Sequence, residues 1–206
     1  YEDAIESLQQ LLESTEDFFD IEPGTLQSRG SLLDRIESIL RKLPADATEG
    51  YRRQYGSQAE QLLKRAQQSR QLDDYLEIAR RYPLTLAAQT ALREAAMIAS
   101  DHGESAVAAR LRERLLLDTP DGQARTALLI EIARDWTLAG QPKMAESAVR
   151  ELSALARSAP IEFEGKLLTP PATADVVWLN KVFGPVSTAL PQRSVDWRLA
   201  GGHPRH

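Results

Sequence analysis

No cysteine occurs in the 206 residues, which excludes disulfides and thiolate metal centres. No stretch approaches the roughly 20 apolar residues that a membrane-spanning helix needs. Neither GxGxxG nor GxxxxGK[ST] is present, so the usual signs of a phosphate cradle are missing. Aromatic residues are only 6%. Val, Ile, Thr and Tyr are too sparse for a β-sandwich or barrel, whereas Ala and Leu, strong helix formers, are plentiful. Small Ala side chains also let helices approach closely.

Charge of one sign is scarce everywhere except at the start. Glu2, Asp3, Glu6, Glu13, Glu16, Asp17, Asp20 and Glu22 all precede the first basic residue, Arg29, which leaves 22 of the 30 acids to face 25 Lys and Arg. In that remainder the two signs are interleaved. A mildly basic body without a basic stripe is not the electrostatic footprint of a nucleic-acid binder.

Apolar periodicity predicts a succession of helices. The first spans 3–19 on Ile5, Leu8, Leu11 and Leu12, with Phe18 and Phe19 following, and Pro23-Gly24 breaks it. Ser28 or Ser31 is placed to cap the second, with Asp34 in a capping-box-like position after Ser31. Leu32, Leu33, Ile36, Ile39, Leu40 and Leu43 form its apolar face, and Leu43-Pro44 stops it. A third helix over 48–69 turns Tyr51, Tyr55, Ala59, Leu62, Leu63 and Ala66 inward. A fourth over 72–82 ends at Tyr82-Pro83, and a fifth runs from Thr85 or Leu86 to Asp101.

From there the chain repeats at a spacing of 37 residues. Leu92 matches Leu129, Ala96 matches Ala133, and Gly103 matches Gly140. Ala108 matches Ala145, Leu111 matches Ala148, and Leu115 matches Leu152. Each unit reads as helix, tight Gly turn, helix. Gly103 and Gly140 fall where a helix ends through a left-handed residue. Pro120 and Asp121 mark the turn between units, and Pro142 suits the first turn of a helix. A period in the thirties with two helices per period is the sign of a helical-hairpin array.

After Ser158 the pattern changes, with six of the 11 prolines: Pro160, Pro170, Pro171, Pro185, Pro191 and Pro204. Ile161, Phe163 and Leu167 suggest a strand-like piece, and Val176, Val177, Trp178 and Leu179 form an apolar knot. The segment is too proline-rich for a long helix and too hydrophobic for a solvated linker. An extended strap that packs its aromatics onto the array or onto a neighbouring domain is expected.

The body resembles the tetratricopeptide-like helical modules of large planctomycete-type proteins that also carry a pyrroloquinoline-quinone-type β-propeller. The resemblance rests on YRRQYGSQAEQLLKRAQQ at 51–68, on Ile78-Ala79-Arg80-Arg81-Tyr82 with Thr85 after it, and on the Ala/Gly hairpin units. At the other end, DWRLAGGHPRH at 196–206 is similar to the opening of such a propeller through Asp196, Trp197, Gly201, Gly202 and Arg205. The resemblance implies a helical domain cut from a longer protein, an interaction role, a periplasmic or extracellular setting, and no catalytic residues. The strap at 160–195 would then connect the domains. Tyr1 in place of Met agrees with a mature form or an excised piece.

Several residues that could carry chemistry have plainer explanations. His102 beside Asp101 has only Ser100 and Ser105 near it in sequence, and a helix-end residue suited to the dipole is the simpler reading. His203 and His206 have metal-compatible spacing but lie in a Gly- and Pro-containing tail. Asp73-Asp74 and Glu16-Asp17 read as capping or solvated acids, since glycosidic carboxylates must face each other across a cleft. Arg52-Arg53, Arg80-Arg81 and Arg110, Arg112 and Arg114 each have acids nearby for pairing along a helix.

The chain is therefore expected to be all-α, an antiparallel helical-hairpin array of the tetratricopeptide-like α-solenoid kind, followed by a proline-rich extended strap. N-terminal helices occupy 1–46, the repeats 47–159, and the strap with the start of a following domain, possibly a β-propeller, 160–206. The expected role is a non-catalytic scaffold for a partner protein or a neighbouring domain of the same polypeptide, with no cofactor, metal, nucleic acid or membrane span. The alternative is a helical accessory part of a larger enzyme, with titratable groups gathered around Asp175 and Trp178. Tyr51, Tyr55, Tyr75 and Tyr82 are the candidates for lining a partner-binding groove, against the commoner role of packing between hairpins.

Overall fold

A computed structural model describes residues 1–14, 19–21, 28–156, 161–163, 165–171, 173 and 175–184. Among them the chain is predominantly helical, in the order α1 (Glu2–Glu13), β1 (Phe19–Ile21), β2 (Ser28–Ser31), α2 (Leu32–Leu40), α3 (Ala45–Ser69), α4 (Leu72–Arg81), α5 (Leu86–Asp101), α6 (Ser105–Leu116), α7 (Gln123–Leu138), α8 (Pro142–Ala156), β3 (Ile161–Phe163), β4 (Lys166–Leu168) and α9 (Val176–Phe183). A helical array is what the Ala/Leu periodicity predicts, and most helix bounds fall within a few residues of the sequence reading.

Two compact units divide the chain differently from the sequence boundaries at 46 and 160. The first takes residues 1–69 and 77–88, and the second takes 70–76 and the described residues from 89 onward. Helix α3, which the sequence assigns to the repeats, belongs with α1 and α2. The reason is visible in its buried face, where the Tyr51 hydroxyl donates 2.8 Å to Gln9 Oε1 on α1.

In the first unit, α1 buries Ile5, Leu12 and the polar Gln9. Gln9 is tolerated there because its amide is satisfied: Nε2 donates to the Arg81 carbonyl at 2.9 Å while Oε1 accepts from Tyr51. Helix α1 has no basic residue in its last turn. Arg80 supplies that charge from α4, its Nη1 donating 2.8 Å to the carbonyls of both Leu12 and Ser14. These are carbonyls that a helix end leaves without intrahelical partners.

The helix expected to continue to residue 19 stops at Glu13, and Ser14 is extended. Phe19 instead pairs with Ser31 in an antiparallel two-stranded sheet, with Ile21 opposite Ser28. Phe18 and Pro23-Gly24 lie outside the described residues. Ser31 caps α2 as expected, its hydroxyl accepting from Leu33 N–H at 3.1 Å and Asp34 N–H at 3.3 Å.

In the second unit the 37-residue spacing is carried by the backbone. Helix α5 spans 86–101 and α7 spans 123–138, each bound displaced by that offset, and α6 and α8 begin at 105 and 142. The turns between them close alike. Glu104 N–H donates to the Ala99 carbonyl and Gly103 N–H to Ser100; one offset later Gln141 N–H donates to Trp136 and Gly140 N–H to Thr137. Both are Schellman closures. Gly103 and Gly140 have φ of 76° and 70°, the left-handed region that glycine enters without a Cβ penalty.

Buried positions also correspond: Leu92 with Leu129, Ala96 with Ala133, Ala108 with Ala145, and Leu115 with Leu152. One core includes Ala109 of α6, Leu129, Ile132 and Trp136 of α7, and Val149 and Leu152 of α8.

Within the expected strap the strand-like piece around Ile161, Phe163 and Leu167 is present, whereas 176–183 is helical and not extended. Ile161–Phe163 and Lys166–Leu168 form an antiparallel hairpin, and Val176–Phe183 form a helix. No proline falls within 172–184, so two helical turns fit there. Asp175 starts them by accepting from Trp178 N–H at 2.7 Å. Ile161, Leu179 and Phe183 join the α6–α8 core, which settles the packing of these residues onto the array. The Trp178 and Phe183 rings meet edge-on at 6.1 Å.

Candidate binding site

The four tyrosines are core residues. Tyr51, Tyr55, Tyr75 and Tyr82 are 0%, 9%, 3% and 0% exposed. Tyr51, Tyr55 and Tyr82 belong to the first unit and Tyr75 to the second. Tyr51 and Tyr55, one helical turn apart on α3, have ring centroids 4.9 Å apart, and Tyr55 lies 6.5 Å from Tyr82. Burial pushes the Tyr51 hydroxyl well above the ordinary tyrosine range, and it raises Tyr55, Tyr75 and Tyr82 as well. A groove-lining role for these rings is corrected to packing: side chains so enclosed offer no surface to a partner.

The candidates for chemistry sit at helix ends, and Glu16-Asp17 lie outside the described residues. His102 is exposed at the end of α5. Its sequence neighbour Ser100 is used elsewhere, accepting from Arg112 Nη1 at 3.0 Å. Asp73 and Asp74 are exposed in the first turn of α4. Asp175 is exposed and caps α9, while Trp178 packs against the α6–α8 core. No cluster of three or more His, Cys, Asp or Glu with metal-holding geometry occurs among the described residues. His203, His206 and the propeller-like Asp196, Trp197, Gly201, Gly202 and Arg205 lie outside those residues.

Five arginines besides Arg112 have structural duties. Arg80 caps α1. Arg81 pairs with Glu77 at 3.2 Å and lies over the Tyr82 ring. Arg52 donates to the Leu84 carbonyl at 3.0 Å. Arg125 closes the end of α6 by donating to the Leu116 and Thr119 carbonyls while pairing with Glu151. Arg110 lies 5.0 Å from the centre of the Trp136 ring, whose Nε1–H donates to Glu113 at 2.7 Å.

Arg112 differs from the rest. It is 5% exposed and joins three helices of the second unit. Its Nη1 donates to Asp135 at 2.5 Å and to Ser100 at 3.0 Å, and its Nε donates to Glu131 at 2.7 Å. Asp135 is 1% exposed, and burial pushes its carboxyl up to about 6 against the pull of Arg112 and Arg134. Glu131 stands one helical turn before Asp135, with its side chain 48% exposed. The sequence offers Arg112 acids along its own helix, whereas both its carboxylate partners lie on α7; the repeat's one sign is an Arg where the matched residue of α8 is Val149.

Arg112 and Glu131 also line an open pocket of about 260 Å³ between α5, α6 and α7. Buried Ala96 and Leu115, part-buried Leu128 and exposed Met97 provide apolar wall. Arg93, on α5, adds an exposed guanidinium that forms no ion pair among the described residues. The pocket thus combines aliphatic surface with one compensated and one uncompensated positive charge, a composition suited to holding a segment of another molecule. Compared with known protein families, curated proteins and solved structures, the chain matches none.

Proposed function

We propose that the chain is a non-catalytic interaction module that holds an extended segment of a partner protein, or of a neighbouring domain of its own polypeptide, in the pocket between α5, α6 and α7. The observation that carries this reading is the pocket itself: an open, largely aliphatic concavity walled by three stacked helices, with charged groups at its edge. Helical hairpins stack because one alone cannot cover its apolar stripe, and stacking leaves such concavities between successive units.

The matched turns at Gly103 and Gly140 support a tetratricopeptide-like assignment. The wider proposal, a module joined to a pyrroloquinoline-quinone-type β-propeller in a periplasmic or extracellular protein, draws only on the sequence resemblance at 51–85 and 196–206.

A direct test fills the pocket. Ala127 is exposed and lines it, so Ala127→Trp leaves the buried core intact. Binding of the chain to an array of short peptides tiling the rest of its own polypeptide and its co-purifying proteins is expected to be lost in Ala127→Trp with an unchanged melting temperature. Unchanged binding in that variant contradicts the proposal.

A further inference from the structure

The Arg112 side chain is 6% exposed, yet it lines the pocket, and its two carboxylate partners differ sharply in enclosure: 2% exposed for Asp135 and 48% for Glu131. Asp135 and Ser100 hold Nη1 from inside the stack, whereas Glu131 covers Nε from the pocket side. We infer that Glu131 is a built-in stand-in for a partner's carboxylate: the pocket takes an extended protein segment carrying Asp or Glu between aliphatic residues, and that acid replaces Glu131 on Arg112 Nε. This inference rests on the interaction role proposed above and adds the chemistry of the segment.

Three features of the pocket lead to it. The first is that two carboxylates one turn apart on α7 share a single guanidinium, so they repel each other while competing for it. The half-exposed member holds its place weakly, because a solvated ion pair contributes little net free energy. Arg112 keeps Asp135 and Ser100 when Glu131 swings into water, so the exchange never leaves a buried charge without a partner.

The second is Arg93, which faces the same pocket without an ion-pair partner among the described residues. Of the charged residues that line the pocket, two are cationic, Arg93 and Arg112, and one is anionic, Glu131, while Asp135 is enclosed behind Arg112; the exposed Arg93 favours an acidic ligand over a basic one. The third is the wall of Ala96, Met97, Leu115 and Leu128, which suits aliphatic side chains on either side of the acid and disfavours a fully solvated polyanion.

The test uses the full chain and two libraries of fluorescein-labelled heptapeptides. Both have Ala, Val, Leu or Ile flanking the centre; one has Glu at the centre and the other Gln. Anisotropy is expected to show tighter binding of the Glu library. Glu131→Gln, which loses its charge and keeps its shape, is expected to tighten binding of that library about threefold or more and to leave the Gln library unchanged. Arg93→Gln is expected to weaken the Glu library alone.

A merely structural Glu131 gives no gain of affinity on substitution, so a Glu131→Gln protein that binds the Glu library no more tightly than the unaltered chain overturns the inference. Equal binding of the two libraries overturns the acidic chemistry while leaving the groove standing. No binding of either library to any of the three proteins overturns both the inference and the interaction role. Circular dichroism melts of both variants, whose altered residues are partly or fully exposed, verify that the fold persists.

Discussion

Arg112 and Val149 occupy matched positions of α6 and α8, 37 residues apart and both buried, but only Arg112 requires a counter-ion. Its partner Asp135 is in turn matched on α5 by Ile98. At each matched position one copy is charged and the other aliphatic, with Val149 in the core beside Leu152 and Leu179. A buried pair can add specificity of neighbour and register without adding stability.

That relationship predicts an asymmetry between breaking and replacing the pair. Arg112→Ala leaves Asp135 buried without its main partner and is expected to cost about 3–5 kcal/mol. The double variant Arg112→Met with Asp135→Leu is expected to recover most of the loss, as apolar replacement of buried pairs often does. Urea denaturation of the two variants checks both values.

Asp135 also sets a pH dependence. Its folded carboxyl titrates near 6, above the ordinary value of about 3.9 for an unfolded Asp. A group raised in this way stabilises the fold fully below its unfolded value, and that contribution is lost as pH rises through the folded one. The stability of the unaltered chain relative to Asp135→Asn is therefore expected to be greatest near pH 4, to fall as pH rises through about 6, and to level off above it. Chemical denaturation of both proteins at stepped pH measures this difference.

Three glycine substitutions are expected to differ in sign. Gly103→Ala and Gly140→Ala force a Cβ into left-handed backbone and are each expected to cost about 1–2 kcal/mol. Gly56, inside α3, has nothing within 4 Å of the position a Cβ would take. Gly56→Ala is expected to stabilise the chain by about 0.5–1 kcal/mol. Thermal melts of the three variants separate the cases.

Arg80 acts on α1 from a distance in sequence. Arg80→Ala removes the donor for two carbonyls at the end of α1 and is expected to cost roughly 1–3 kcal/mol. The loss should be local: amide exchange should accelerate in α1, residues 2–13, with little change in α7.

What the sequence made legible was mostly local. Ser31 as a cap, Pro142 as a first-turn residue, and Gly103 and Gly140 as turn glycines follow from backbone chemistry that acts over a few residues. The 37-residue offset extends this, because equal spacing of Ala and Leu implies equal helices. Pairings across the chain were hidden. Nothing in the order of residues joins Arg80 to Leu12 or Arg112 to Asp135, since such contacts depend on which helix faces are brought together.

Tyr51, Tyr55, Tyr75 and Tyr82 show the same limit. An amphipathic aromatic at helical spacing serves a core or a groove equally well, and only enclosure tells them apart. Phe19 reads as the end of a helix in the sequence because its apolar character satisfies either period over so short a run.

The interaction role is tested most directly by hydrogen–deuterium exchange of the full chain with and without saturating amounts of the tightest-binding central-Glu peptide. Protection confined to the pocket-facing stretches of α5 and α7, around residues 93–97 and 124–131, is the expected result. Protection elsewhere with none in these stretches, or no protection at all, contradicts a chain that works by holding a partner between its stacked helices.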